Sequence, residues 1–325
     1  MKKNLNKKKV FGIIIALLLF MYYLVTWWFL HYAIGGKNKS AAKRKTVGKG
    51  KNTFDDDNAD DNSADDKFDD IYQVCDESKV IEVNLFSIDN IRLYGRKMLQ
   101  DKGHKWSIVV HGYRSDGDSM SEYAMEYYKN GYNVVIPDLR CHRNSGGKYL
   151  GMGWLDKDDI KLWIKHIINI DREAEIVLHG VSMGAATVMM LSGDELPDNV
   201  KVIVEDCGYT SVHNIFKSEC KARFRITHYP ALWLGSLICK LHVGYGWKEA
   251  SALKQVANNY DIPMLFIHGD KDDFVPFSML DELYESANCI KEKFVVTDAG
   301  HAKSMKTAGE AYWKKVFGFV NEYLS

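Results

Sequence analysis

Ile176-Val177-Leu178-His179-Gly180-Val181-Ser182-Met183-Gly184-Ala185 is the stretch that decides the fold. A short apolar run reads as a buried strand, and the helix-compatible segment Ala186-Thr187-Val188-Met189-Met190-Leu191 follows at once. Between them stands G-x-S-x-G, from Gly180 to Gly184. In a strand–turn–helix setting such a serine sits on a tight turn with its hydroxyl presented outward, and the glycines let the backbone pass close to its neighbours. A Gly/Ser turn alone is common by chance. Its meaning depends on whether an acid and a histidine follow in the right order.

Both do. Beyond the strand Pro263–His268 lies Gly269-Asp270-Lys271-Asp272-Asp273-Phe274-Val275-Pro276, where three aspartates compete; Asp272 is preferred, with Asp273 and Asp270 as alternatives. His301 follows the strand Lys293–Val296, in Asp298-Ala299-Gly300-His301-Ala302-Lys303-Ser304. A serine hydroxyl is a poor nucleophile until a base accepts its proton and a third group fixes the tautomer of that base. Ser182, Asp272 and His301 supply the three roles in the order Ser…Asp…His. The negative charge of an acyl-transfer intermediate needs aligned N–H donors. Met183, at the start of the helix after the serine, offers one, and Tyr113, after His111-Gly112 in the first βα loop, offers the second. His111 itself reads as support for that turn and not as the base.

Outward from the serine, the pattern is that of a sheet covered on both faces. Lys79–Ser87 and Ile91–Met98 read as a hairpin-like start, and Trp106–Val110, Tyr132–Pro137, Glu175–His179, Val200–Glu205, Pro263–His268 and Lys293–Val296 as further strands. Helical segments are predicted over 119–129, 154–170 and 308–323. Apolar runs without strict alternation, each followed by a helix, define a mostly parallel sheet whose functional loops lie beyond the strands' C-terminal ends. The apolar, helical interval 208–260 is too long for a simple crossover. It reads as a small cap, with helices that merely cover the sheet edge as the alternative; Phe224, Tyr229, Trp233 and Leu237 line either an apolar subsite or the cap's own core.

The ends of the chain are charged unevenly, although its 325 residues carry 43 basic and 43 acidic side chains. Five lysines stand within the first nine residues, and Val10–Leu30 is then free of charge. That run is long enough to cross a bilayer as a helix, with Tyr22, Tyr23, Trp27 and Trp28 placed for an interface. A cleaved signal peptide is the alternative, but no clear cleavage site is present. The expected organisation is a cytoplasmic tail and membrane anchor over 1–34, a charged flexible tether over 35–76, and a catalytic domain over 77–325 standing outside the cell. Nine aspartates in 55–70 lack the spacing of a calcium loop, and the basic stretch beside the anchor argues for a membrane and not for nucleic acid. Six cysteines show no C-x-x-C or metal-like spacing, so they leave the redox compartment open and no cofactor is expected.

Taken as a set, His111-Gly112-Tyr113, Asp138-Leu139-Arg140-Cys141-His142-Arg143-Asn144-Ser145-Gly146-Gly147, Gly180–Ala185, His268–Pro276 and Ala299–Ser304 resemble the α/β-hydrolase superfamily. Within it the chain is similar to bacterial membrane-anchored or extracellular esterase/lipase-like and prolyl-oligopeptidase-like serine hydrolases. The resemblance implies an α/β-hydrolase fold over about 77–325, a Ser182-His301-Asp272 triad with the acid before x-x-V-P, and no metal or organic cofactor. The triad reads as hydrolysis of a small-molecule carboxylic ester or thioester, and the apolar residues of 208–260 favour an apolar portion in it. Amidase, peptidase and acyltransferase chemistry use the same triad, and a non-catalytic binding protein on this scaffold is the reading of another class. The pattern D-x-R-G-H-G is altered here, because Cys141 and Arg143 replace two glycines. Cys141 has no visible base partner and reads as a packed thiol.

Overall fold

The structure, a computed structural model, describes residues 7–36, 79–225 and 229–325. After helix α1 (Lys7–Ile34) come strands β1 (Val80–Phe86), β2 (Arg92–Met98), β3 (Lys105–Val110), β4 (Asn133–Pro137), β5 (Glu175–Val181), β6 (Val200–Asp206), β7 (Met264–Gly269) and β8 (Lys291–Val296). They form one sheet in the order 1-2-4-3-5-6-7-8. β1, β2 and β4 pair antiparallel, and every pairing from β4 across to β8 is parallel. The chain leaves β3 for β4 on one side and later enters β5 on the other, so the strand order reverses at β3. Ligands of open parallel sheets bind in the crevice at such a reversal.

Both faces of the sheet are covered, which explains the unbroken apolar runs: every residue of β4 and of β7 is buried. Along β5, Ile176 and Leu178 enter one core while Val177 and Val181 enter the other, the alternation a strand imposes. Helices α2 (Ser121–Lys129) and α10 (Glu310–Val320) pack their tyrosines, Tyr123, Tyr127 and Tyr312, on the second face. The first face is covered by α3 (Asp156–Ile170), α4 (Met183–Ser192) and α8 (Ser278–Ser286). Helix α4 is buried at every position, as a helix apolar on all sides must be, and its two hydroxyls, Thr187 and Ser192, bond to the carbonyls of Met183 and Met189. The interval between β6 and β7 holds α5 (Val212–Phe224), α6 (Tyr229–Val243) and α7 (Ala252–Asn258), and the short α9 (Ser304–Ala308) precedes α10.

Two features depart from the organisation expected from sequence. Helix α1 ends at Ile34, where the expected anchor ends, but Leu30, Ala33 and Ile34 belong to the same core as the sheet. The Ile34 carbonyl accepts from Leu150 N at 2.8 Å, and Gly36 N donates to Lys148 O at 2.8 Å. Secondly, Trp233 and Leu237 point outward, 67% and 40% exposed, and neither fills a core. The side chains of Phe224 and Tyr229, and the tether from residue 37 to 76, lie outside the described residues.

Candidate active site

Ser182 connects β5 to α4 with φ 57° and ψ −114°, a backbone conformation that is costly for a residue with a Cβ. Strain of this kind persists only where the surroundings enforce it, and here they do. A Cβ on Gly180 would lie 2.2 Å from the Gly184 carbonyl oxygen, and one on Gly184 would lie 2.0 Å from that of Val110. Both glycines are therefore dictated by close backbone approach, and the turn lifts the serine beyond the sheet.

Ser182, Asp272 and His301, the outer two 119 positions apart in sequence, converge there. Ser182 Oγ lies 2.8 Å from His301 Nε2, and His301 Nδ1 lies 2.7 Å from Asp272 Oδ2. Phe274 packs against the His301 ring, with centroids 4.9 Å apart. The other Asp272 oxygen accepts from Phe274 N at 3.0 Å and Val275 N at 2.8 Å, so the Asp-x-x-Val turn fixes the carboxylate. Asp270 is spent elsewhere, accepting from Asp298 N at 2.7 Å, and Asp273 is exposed. Burial pushes the Asp272 carboxyl up, but hydrogen bonds from His268 and His301 outweigh it and hold it at about 2.

Met183 N and Tyr113 N donate to no other described residue. Gly112 lies against the serine, since a Cβ there would stand 3.4 Å from the Ser182 Cβ. His111 is fully buried with Nδ1 2.8 Å from the Gly112 carbonyl, and its Nε2 accepts from Leu139 N at 2.9 Å. It ties the Gly112 turn to the 138–147 loop, and burial lowers its pKa to about 4. The Tyr113 phenol donates to the Ala33 carbonyl of α1, and Arg114 Nη2 donates to the Tyr32 carbonyl at 2.5 Å. The first βα loop is thus braced by the last turn of α1.

The altered loop has a backbone explanation. Cys141 and Arg143 adopt φ of 65° and 39°, the left-handed region where glycine costs least. Arg143 reaches Asp116 and Asp118, while the Cys141 sulfur packs close to Gly147 and Gly36. Burial pushes the Cys141 thiol up to about 12, which keeps it protonated and a weak nucleophile. Cys141, Cys207, Cys220, Cys239 and Cys289 are all free thiols; Cys75 lies outside the described residues.

His268 received no role from sequence. Its Nε2 lies 3.1 Å from both Asp272 Oδ2 and the Val275 carbonyl, so a second imidazole bears on the same carboxylate as His301. The sole sequence signal for it was a polar residue closing an apolar strand. Beside it, Glu205 is fully buried and accepts only from Gly208 N, while Asp206 accepts from Ser304 Oγ at 2.8 Å and Tyr312 OH at 3.0 Å. The grouping of possible metal ligands among the described residues is Cys207, Asp272 and His301, with donor atoms within 4.8 Å of one another. Two of the three are already bonded to each other, and burial holds the Cys207 thiol well above its ordinary value.

Glu205 carries a measurable consequence. Burial raises its pKa from the usual 4.5 to about 8. Between those values the folded protein keeps a proton that the unfolded chain has released, so stability falls as pH rises through the window. Asp156, raised to about 7 by burial, adds to the decline. Glu205→Gln should remove the larger share of the loss between pH 6 and 8, on the order of a few kcal/mol. Urea midpoints at the two pH values measure it. An unchanged slope in the variant would show that Glu205 is ionised in the folded state.

The sheet order, the strained serine between β5 and α4, and the Asp–His–Ser chain at its mouth define an α/β-hydrolase of the serine-hydrolase type, with ester and amide bonds as its substrates. A model of the prolyl oligopeptidase family matches residues 119–325. The chain belongs to that family. It is similar to the uncharacterised protein YqkD of Bacillus subtilis (strain 168), 29% identical over 215 residues that cover 66% of this chain and 70% of that one. Among solved structures it is similar to the esterase Pf2001 of Pyrococcus furiosus, with 25% identity, a TM-score of 0.62 and coverage of 76% and 93%. The acylaminoacyl peptidase of Pyrococcus horikoshii shares the fold at 18% identity and a TM-score of 0.55, covering 74% of this chain and 40% of that one.

Proposed function

We propose that Ser182 is the nucleophile of an esterase that cleaves a carboxylic ester or thioester with an apolar acyl or alkyl portion. The observation that carries this reading is the hydrogen-bond chain from Asp272 through His301 to Ser182, at 2.7 and 2.8 Å. His301 Nε2 takes the Ser182 proton as Oγ attacks the carbonyl carbon. The oxyanion forms against Met183 N and Tyr113 N, and His301 then passes the proton to the leaving alkoxide or thiolate. Water enters and gives a proton to His301 as its oxygen attacks the acyl carbon; His301 then returns that proton to Ser182 Oγ as the acyl–Oγ bond breaks and the acid leaves. Asp272, ionised throughout, holds the imidazole tautomer and stabilises the imidazolium.

Membership of the prolyl oligopeptidase family favours a second reading, in which the scissile bond is an amide and His301 protonates an amine. We further propose that α5–α7, over 208–260, cap the site, and that α1 is a single-pass membrane anchor with the catalytic domain on the extracellular side. The anchor reading is supported by an apolar helix over Lys9–Ile34 that contains an 18-residue stretch of mean hydropathy 2.3. Labelling with a fluorophosphonate probe tests the chemistry, wild type labelling and Ser182→Ala remaining blank. Unlabelled, folded wild-type protein would end the esterase and amidase readings together; rates on matched esters and amides separate the two.

A further inference from the structure

Helix α1 changes character along its length. Phe11 to Val25 are exposed at every position, whereas from Thr26 the helix is docked. Leu30 and Ile34 are fully buried, and the Trp27 ring packs on His242 of α6 with centroids 4.3 Å apart. The fifteen exposed residues reach about 22 Å as a helix. A bilayer's hydrocarbon core is about 30 Å thick. A span that falls short by about 8 Å is accommodated by drawing its flanks inward or by thinning the bilayer. The flank here is the docked part of α1, and it cannot enter the membrane without α6.

Helix α6 carries the surface that such a position requires. Trp233, Leu237 and Leu241 are 67%, 40% and 73% exposed. Their spacing of four residues puts them in one stripe along the helix. Leu241 is the neighbour of His242, so the stripe begins at the contact with α1, where Trp28 is itself 64% exposed. Tryptophans at this level match the enrichment of that residue at membrane–water boundaries.

We propose that α6 is a membrane-contacting element, its Trp233–Leu237–Leu241 stripe immersed in the lipid monolayer beside α1. The proposal rests on the reading of α1 as a membrane span. The stripe then extends the apolar surface of α1 sideways and holds the hydrolase domain at a set height. Tyr113, bonded to Ala33, stands about 10 Å along the helix beyond Thr26, so the first βα loop lies just above the boundary.

The test uses the full chain in phosphatidylcholine/phosphatidylglycerol nanodiscs, with or without bromine on the acyl chains. The chain has eight tryptophans, so the signal of Trp233 is the difference between wild type and Trp233→Phe, and Leu241→Trp adds a reporter at the other end of the stripe. Matched circular dichroism secures the fold of the variants. Both signals should be quenched at least about two-fold by brominated lipid, as expected for rings 5–10 Å below the headgroups. Emission at either position that bromine leaves untouched and aqueous acrylamide quenches overturns the proposal. Shielding from both quenchers also overturns it, and assigns the stripe to a second copy of the chain. Fluorophosphonate labelling of the same samples keeps the outcomes apart: quenching without labelling sustains the lipid surface and removes the catalytic reading. A chain that an alkaline wash strips from lipid removes the anchor and this proposal with it.

Discussion

Ser182→Ala and His301→Ala should each lower kcat on an activated ester by about a million-fold, and the double variant should be no worse than either. The equality is the informative part. With Oγ 2.8 Å from Nε2, the serine has no nucleophilic power without the imidazole, and the imidazole has no proton to accept without the serine. Loss of one therefore leaves the other idle, and what remains is substrate binding and the proposed oxyanion donors, Met183 N and Tyr113 N. Asp272→Asn should cost about ten-thousand-fold, because an amide that donates to Nδ1 selects the wrong tautomer. The Asp272 carboxyl sits at about 2, so it stays charged down to strongly acidic pH and the acid limb of the rate profile does not belong to it. Single-turnover rates of the four variants are the measurement. Activity above one-thousandth of wild type in purified Ser182→Ala would remove Ser182 as the nucleophile.

Gly184→Ala should destabilise the fold by about 4 kcal/mol or more, at the upper end of single-residue effects. The added methyl would stand 2.0 Å from the Val110 carbonyl oxygen and 2.8 Å from that of His111, at the crossing of α4 over β3. Relief needs the helix to move off the sheet, which would also pull Met183 N away from the serine. Gly318→Ala is the matched control: it lies inside α10 with nothing within 4 Å of its added Cβ, and should gain about 0.5–1 kcal/mol from helix propensity. Urea midpoints for the pair decide the matter. A Gly184→Ala midpoint equal to wild type would mean that the crossing is looser than its contacts imply.

The catalytic end of this chain was unusually legible because its signals are local. Gly180, Ser182 and Gly184 declare a strained turn within five residues, and Asp272 is marked by the turn it caps. The strands, too, followed from apolar runs that two-sided burial makes continuous, with boundaries within a residue or two. What could not be read is what depends on partners far away in sequence. Leu30 and Ile34 look the same whether they face lipid or a protein core, so nothing in α1 announced that its last turns dock against the 148–150 segment. His268 and Glu205 are single polar residues at strand ends; the contact of His268 with Asp272 and the burial of Glu205 arise only once the strands are assembled. Trp233 and Leu237 misled for the opposite reason, since an apolar residue on a short helix carries no mark of which way it faces.

The grip between α1 and the hydrolase domain has one more consequence. Leu30 and Ile34 fill the core, Ala33 holds Tyr113, and Gly36 bonds Lys148. The helix relates to the domain as a small subunit does to a large one, seated in its core as well as joined to it by the chain. Whatever shifts the end of α1 therefore shifts the loop that carries Tyr113 with it.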